Sequence, residues 1–230
     1  MKTIGLLGGM SWESSSVYYQ IINREVQKKL GGVHSAKCVM YSVDFGEIEE
    51  LQHAGEWDKL TQVMVDCAKS IQNAGADFLV ICTNTMHKMA PEIEESTSMP
   101  ILHIADAAAG VIKNSGWKKV GLLGTKFTME QDFYSGRLQK KHGIDVIIPD
   151  ENERDIVHEV IYTQLVKGII DEGSRKQYVD IIRKLASRGA EAVVLGCTEI
   201  PLLVRQEDSP VPLLDTTTIH AESAVEYALT

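Results

Sequence analysis

The chain of 230 residues is 44% hydrophobic and 24% charged, and its 23 basic against 32 acidic side chains leave a formal charge of -9. This length accommodates one large or two small domains, and the composition is that of a globular protein, not of a disordered or collagen-like chain. The negative balance gives no attraction to a phosphate backbone or an anionic bilayer, and no apolar run approaches the roughly 18 to 20 residues of a membrane span, so nucleic acid and membrane are set aside as partners.

Thr3 to Leu7 reads as a strand and not as a signal peptide, because the apolar run is short and no A-x-A pattern precedes Glu13. Ser11 is placed to cap a helix whose apolar Val17, Tyr18, Ile21, Ile22, Val26 and Leu30 recur at helical spacing and which stops at Gly31-Gly32. A second helix starts near Asp58, carries Leu60, Met64, Cys67, Ala68 and Ile71 on one face and ends at Gly75, before a buried-type strand from Asp77 to Cys82. Tyr178, Ile181, Ile182 and Leu185 form another stripe, followed by Gly189 and a strand from Glu191 to Leu195. This alternation predicts an α/β fold with mainly parallel strands. Asp44 and Asp106 follow apolar runs and either line a cleft or cap helices, and the acidic stretches Glu47 to Glu50 and Asp150 to Glu153 suit helix starts. Cys38, Cys67, Cys82 and Cys197 show no CxxC spacing and are too few for a disulfide framework, which predicts reduced thiols in a cytoplasmic protein.

The two halves of the sequence also match each other. Ile4-Gly5-Leu6-Leu7-Gly8 corresponds to Val120-Gly121-Leu122-Leu123-Gly124 at an offset of 120 minus 4, or 116. Gly75-Ala76-Asp77-Phe78-Leu79-Val80-Ile81 corresponds to Gly189-Ala190-Glu191-Ala192-Val193-Val194-Leu195 at an offset of 189 minus 75, or 114. Strand and glycine-turn chemistry alone can look alike, but two matches in the same order point to a duplicated unit. The expected architecture is two pseudo-symmetric lobes, each a mainly parallel sheet flanked by helices, with the active site in the cleft between them. Residues 1–99 plus 213–230 would form the first lobe and 100–212 the second, the chain changing lobe near Met99-Pro100 and returning near Pro210 to Pro212.

Ligands in parallel α/β sheets sit beyond the carboxyl ends of the strands. Continuing the second match sets Cys82 against Gly196, Thr83 against Cys197, Asn84 against Thr198 and Thr85 against Glu199. Side chains alternate across a strand, so Thr83, not Cys82, takes the position equivalent to Cys197. Cys197 is either a small buried hydrophobe or a reactive thiol beside a helix start, where backbone N–H groups lower a thiol pKa from about 8.5. Asn84, Thr85 and Thr198 are donors suited to a carboxylate, or simply helix caps. The turn Gly8-Gly9-Met10-Ser11 has neither GxGxxG spacing nor a P-loop Lys, and is compatible only with close backbone approach to a small anion. No histidine belongs to an HExxH motif and Cys82 with His87 has no second pair, so no metal is expected.

Ile81-Cys82-Thr83-Asn84-Thr85-Met86, Val194-Leu195-Gly196-Cys197-Thr198-Glu199-Ile200 and Gly5-Leu6-Leu7-Gly8-Gly9-Met10-Ser11-Trp12 together resemble the signature segments of the aspartate/glutamate racemases. The resemblance spans the whole chain and implies a homodimer that inverts Cα of a small-molecule acidic amino acid without pyridoxal phosphate or any other cofactor. In the usual family mechanism one cysteine thiolate removes the α proton and a second thiol reprotonates the opposite face. This chain departs from that pattern: the cysteine that directly precedes Asn-Thr in the family is replaced by Thr83, unless a local shift brings Cys82 in. The departure resembles the L-aspartate/glutamate-specific racemases of enterobacteria. A threonine hydroxyl passes on a proton but is no appreciable base near neutral pH, so Cys197 is the expected base and Thr83 serves the other face. By the same resemblance the backbone at Met10 and Ser11, with Asn84, Thr85 and Thr198, binds the α-carboxylate and amino group, and Glu199 orients the ammonium or Cys197. Gln52 and Lys167 are candidates for the distal carboxylate, with a solvated helix residue as the other reading of each. Related reactions on the same fold are those of hydantoin racemase, maleate isomerase and arylmalonate decarboxylase, and a non-catalytic amino-acid-binding protein is a further alternative.

Overall fold

A computed structural model describes all residues, 1–230. The chain divides into two compact units, 1–104 with 220–230, and 105–219. The first opens with β1 (Ile4–Gly8), α1 (Trp12–Leu30), β2 (Cys38–Ser42), α2 (Phe45–His53), α3 (Trp57–Asn73) and β3 (Phe78–Ile81), then a 3-10 turn over Thr85–Met89 and α4 (Ala90–Thr97). Its parallel strands lie in the order β2-β1-β3. The second unit holds α5 (Ile104–Asn114), β4 (Lys119–Gly124), α6 (Lys126–Glu130), α7 (Ser135–His142), β5 (Asp145–Ile147), α8 (Glu151–Thr163), α9 (Glu172–Ser187), β6 (Ala192–Gly196), α10 (Ile200–Leu203) and β7 (Leu213–Asp215), with α11 (Thr216–Leu229) running back into the first. Its sheet, also parallel, is ordered β5-β4-β6-β7. No helix is long and apolar enough to cross a membrane.

Alternation along the central strands explains why they read as unbroken apolar runs. Ile4, Leu6, Phe78, Val80 and Cys82 pack on one face with Tyr18 and Ile22 of α1 and Ala221, Ala224 and Val225 of α11. Leu7, Leu79 and Ile81 turn to the other face and pack with Leu60, Met64, Ala68 and Ile71 of α3. A parallel sheet buried on both sides needs apolar residues in both phases.

The internal repeat extends to strand register. Ile4 pairs with Phe78 as Val120 pairs with Ala192, so the two offsets taken from sequence map one ladder onto the other. A Cβ added at Gly5 would stand 2.4 Å from Ile71 Cγ2, and one at Gly121 would stand 3.0 Å from Leu185 Cδ1; Ile71 and Leu185 are themselves 114 residues apart. Gly75 and Gly189, which follow the equivalent helices, both adopt φ of 93°, a left-handed conformation that favours glycine.

The expected lobe boundaries need correction. Pro100 accepts from Leu79 N–H at 2.8 Å, and Pro212 accepts from Val193 N–H at 2.9 Å. Ile101 then bridges Leu79 in parallel, just as Leu213 pairs with Val193. Both prolines therefore lead into a further extended segment of their own sheet and do not mark the change of lobe. Backbone pairing carries the first unit past Pro100 to Leu102 and the second past Pro212 to Asp215, and the units end at Ile104 and Ile219.

Candidate active site

In the first unit the carboxyl ends of β1, β2 and β3 lie at one end of the sheet, and the residues that follow them are the candidates from sequence. Ser11 caps α1, its Oγ accepting from Ser14 N–H at 3.3 Å, and Met10 is buried against the α3 face. Gly9 N–H is occupied by Ser15 Oγ at 2.8 Å, and Ser15 in turn donates to Ser11 O at 3.0 Å. The expected approach of an anion to this turn therefore lacks the Gly9 donor. Asp44 caps α2 by accepting from Gly46 N–H at 2.9 Å, which settles its role as a cap.

Cys82 and Thr83 part company at the end of β3. Cys82 is sealed in the α1–α11 face with its thiol 3.8 Å from Val80 O, and burial pushes that thiol far above the ordinary range. A shift bringing Cys82 into the site is thereby overturned. Thr83 is half-buried, and its carbonyl accepts from His87 Nδ1 at 2.8 Å. Asn84 and Thr85 are both buried in the turn that follows. Gln52 reaches inward from α2, 4% exposed, with its Oε1 buried and lacking a hydrogen-bond partner. An unsatisfied buried acceptor of this kind normally costs about 1–3 kcal/mol.

In the second unit Cys197 directly follows β6. Val193 and Leu195 point to the α8–α9 side of their sheet and Cys197 packs against the same cluster. Leu79 and Ile81 hold the corresponding phase in the first unit, so Thr83 and Cys197 occupy equivalent strand-end positions. Cys197 is half-buried, and its Sγ donates to Glu199 Oε2 across 3.0 Å. Thr198 Oγ1 donates to the same oxygen at 2.8 Å, and Glu199 is itself 7% exposed. Burial and then the Glu199 carboxylate push the Cys197 thiol well above its ordinary value. This corrects the expectation that a helix start would depress it: α10 has only four residues, and a facing carboxylate outweighs the few backbone donors. The resting group is a thiol hydrogen-bonded to the Glu199 carboxylate.

Lys167 takes the solvated alternative of its sequence reading, whereas Asp106 takes a place that neither of its two readings foresaw. Lys167 is exposed on the 3-10 turn Leu165–Lys167 after α8. Asp106 sits in the first turn of α5, where Arg137 binds it through two hydrogen bonds of 2.8 and 2.7 Å, and Lys141 and His142 each approach to 2.7 Å. Burial raises its carboxyl, but those three partners more than offset it and hold the group well below the usual carboxylate range.

Sequence reasoning passed over Thr217 and Tyr134, whose buried hydroxyls have no hydrogen-bond partner. Thr217 follows β7 within the run Asp215-Thr216-Thr217-Thr218, a polar strand end of the kind that drew notice to Asn84. Tyr134 carried no such signal.

Comparison with known proteins agrees with the geometry. The Asp/Glu/Hydantoin racemase family model matches residues 7–224. A crystal structure of a Yersinia pestis protein assigned to the Asp/Glu racemases is 53% identical over 100% of both chains, with a TM-score of 0.94. An aspartate racemase homologue from Pyrococcus horikoshii OT3 is 31% identical over 100% of both chains, with a TM-score of 0.83. The broad specificity amino-acid racemase RacX of Bacillus subtilis is 25% identical over 234 residues, 98% of each chain. With the family model covering nearly the whole chain and the two-sheet α/β fold shared, this protein belongs to the Asp/Glu/hydantoin racemase family.

Proposed function

We propose that the protein is a cofactor-independent racemase of acidic amino acids, with L-aspartate and L-glutamate as substrates, Cys197 as base and Thr83 serving the opposite face of Cα. The observation that carries this reading is the Cys197 Sγ to Glu199 Oε2 hydrogen bond of 3.0 Å at a strand end, in a member of a racemase family. Glu199 takes the thiol proton, so that the S–H bond breaks and a carboxylic O–H forms. The thiolate then takes the Cα proton, and the electron pair passes into the α-carboxylate as an enediolate held by donors from Asn84, Thr85 and Thr198. A proton delivered to the other face by the Thr83 hydroxyl, or by a water it holds, gives the D enantiomer. A proton returned by Cys197 gives back the L form. Of the two candidates for the distal carboxylate, the buried Gln52 offers its amide N–H group, since its Oε1 only accepts, and Lys167 stands exposed.

A hydroxyl is a far weaker acid than a thiol, so proton return by Cys197 outpaces delivery by Thr83 and washout from the L enantiomer outruns inversion. Enantiomers have equal free energy in achiral water, so kcat/KM for full conversion is the same in both directions even though washout is not. Proton NMR in deuterated buffer, without added cofactor, paired with chiral chromatography, tests both. Loss of the α-proton signal from L-aspartate or L-glutamate that disappears in Cys197→Ser supports the reading. No exchange from any acidic amino acid of either configuration overturns it, and hydantoins and maleate become the substrates to try.

A further inference from the structure

The turn that carries Thr83 is braced by a buried histidine whose two ring nitrogens are both committed. His87 Nδ1 lies 2.8 Å from the Thr83 carbonyl, and His87 Nε2 lies 3.2 Å from Ile104 N–H. A carbonyl only accepts and a backbone N–H only donates, which fixes the tautomer: Nδ1 carries the proton and Nε2 is bare. The ring is 1% exposed and stacks at a tilt against His103, with centroids 4.5 Å apart, and against His220 at 5.6 Å. His220 is fixed in the same manner, its Nε2 at 2.6 Å from Leu102 O and its Nδ1 at 3.0 Å from Tyr18 OH. Adding a proton to His87 would break the Ile104 bond and place a charge among imidazoles in an apolar setting; burial and then the His103 and His220 rings push its pKa well down. With Nδ1 donating and Nε2 accepting, the neutral ring is a strut between Thr83 and Ile104.

We propose that His87 is a positioning residue for the Thr83 hydroxyl: its Nδ1–H pins the Thr83 carbonyl, and its Nε2 ties that carbonyl to Ile104, where the chain leaves the first unit. The inference rests on the reading that Thr83 serves one face of Cα. A hydroxyl that is neither a good acid nor a good base contributes mainly through its placement, and displacement by about 1 Å can cost on the order of 100-fold in rate.

The test is the ratio of inversion to α-proton washout, both read from one NMR and chiral-chromatography time course on L-glutamate. Because both rates come from the same folded molecules, a partly folded preparation leaves the ratio intact. Three variants are compared. His87→Phe keeps the ring volume and loses both nitrogens, His87→Asn keeps an N–H donor near the Nδ1 position, and Thr83→Val removes the hydroxyl itself. The expected result is a ratio lowered about tenfold in His87→Phe, with substantial recovery in His87→Asn and washout by Cys197 largely retained. The 15N shifts of His87 at neutral pH should show the neutral Nδ1-protonated tautomer. An unaltered ratio in His87→Phe beside a lowered one in Thr83→Val overturns the positioning role alone. Equal loss in His87→Phe and His87→Asn also overturns it, since that pattern marks a purely steric part. An unaltered ratio in Thr83→Val overturns the role of Thr83 and the inference with it, whereas absence of washout in the unmutated protein strikes the proposed activity.

Discussion

The thiol of Cys197 and the carboxylate of Glu199 share a hydrogen bond of 3.0 Å, and the negative charge of Glu199, together with burial, holds the thiol protonated at rest. Thiolate character at this position therefore rises as pH rises. Glu199→Gln removes the charge while keeping an acceptor, so the pH profile of Cys197 alkylation, followed by mass spectrometry of its peptide, shifts to lower pH. Washout from the L substrate falls in the same variant because the amide cannot take the thiol proton. An alkylation profile that stays in place shows that burial alone sets the thiol.

Cys82 offers the contrasting case of a cysteine kept for its volume. It is 1% exposed and packed among Ile4, Tyr18 and Ala221. Cys82→Ala leaves a small cavity and is expected to lower stability by about 1 kcal/mol, read as a denaturant midpoint, while the washout rate per folded molecule is unchanged. Loss of washout at preserved stability would assign Cys82 a direct part in the reaction.

Two buried neutral histidines make the first unit sensitive to acid. Burial depresses His220 from the usual 6.5 to about 4, and His87 is depressed in the same direction. Unfolded chains take up the His220 proton as pH falls below 6.5 while the folded chain resists until about 4, so stability is fully present above 6.5 and is lost across that interval. The span from 6.5 to about 4 corresponds to about 3 kcal/mol. His220→Gln, whose amide can still donate to Leu102 O, should flatten the decline of the urea midpoint over this range. A variant with the parent slope shows that His220 titrates alike in both states.

Gly5 and Ile71 are in contact in a way that leaves no room for a side chain. The 2.4 Å separation of an added Cβ from Ile71 Cγ2 predicts that Gly5→Ala destabilises by about 1–3 kcal/mol. In an Ile71→Ala background the obstructing methyl is gone and the added cost of Gly5→Ala shrinks. Costs that add to within about 0.5 kcal/mol in the double-mutant cycle rule out direct steric coupling.

The strands were legible because burial on both faces demands continuous apolar runs, and the duplication was legible because glycine is required where helix and strand close to contact. Gly5 and Gly121 are such positions, and Gly75 and Gly189 repeat for another reason, the left-handed φ of 93° that both adopt after their helices. Residue order alone therefore specifies the α/β class, the repeat, and the equivalence of Thr83 with Cys197. The prolines at 100 and 212 misled as marks of a lobe change, since a residue without an N–H looks like the end of a sheet although its carbonyl can still enter a ladder, as both do here.

Charge environment and pairing were decided only in three dimensions. Cys197 has Glu199 two positions away in sequence, but whether that carboxylate turns toward Sγ or toward solvent depends on rotamers set by packing, and here burial raises the thiol and the inward-turned carboxylate raises it further. Asp106 looked equally like a cap or a cleft residue until α7 brought Arg137, Lys141 and His142 around it. His220 lies far along the chain from His87 and His103, and folding α11 back onto β1 and α1 brings its ring to theirs. A sequence records which groups are available, whereas their protonation depends on which of them burial forces together.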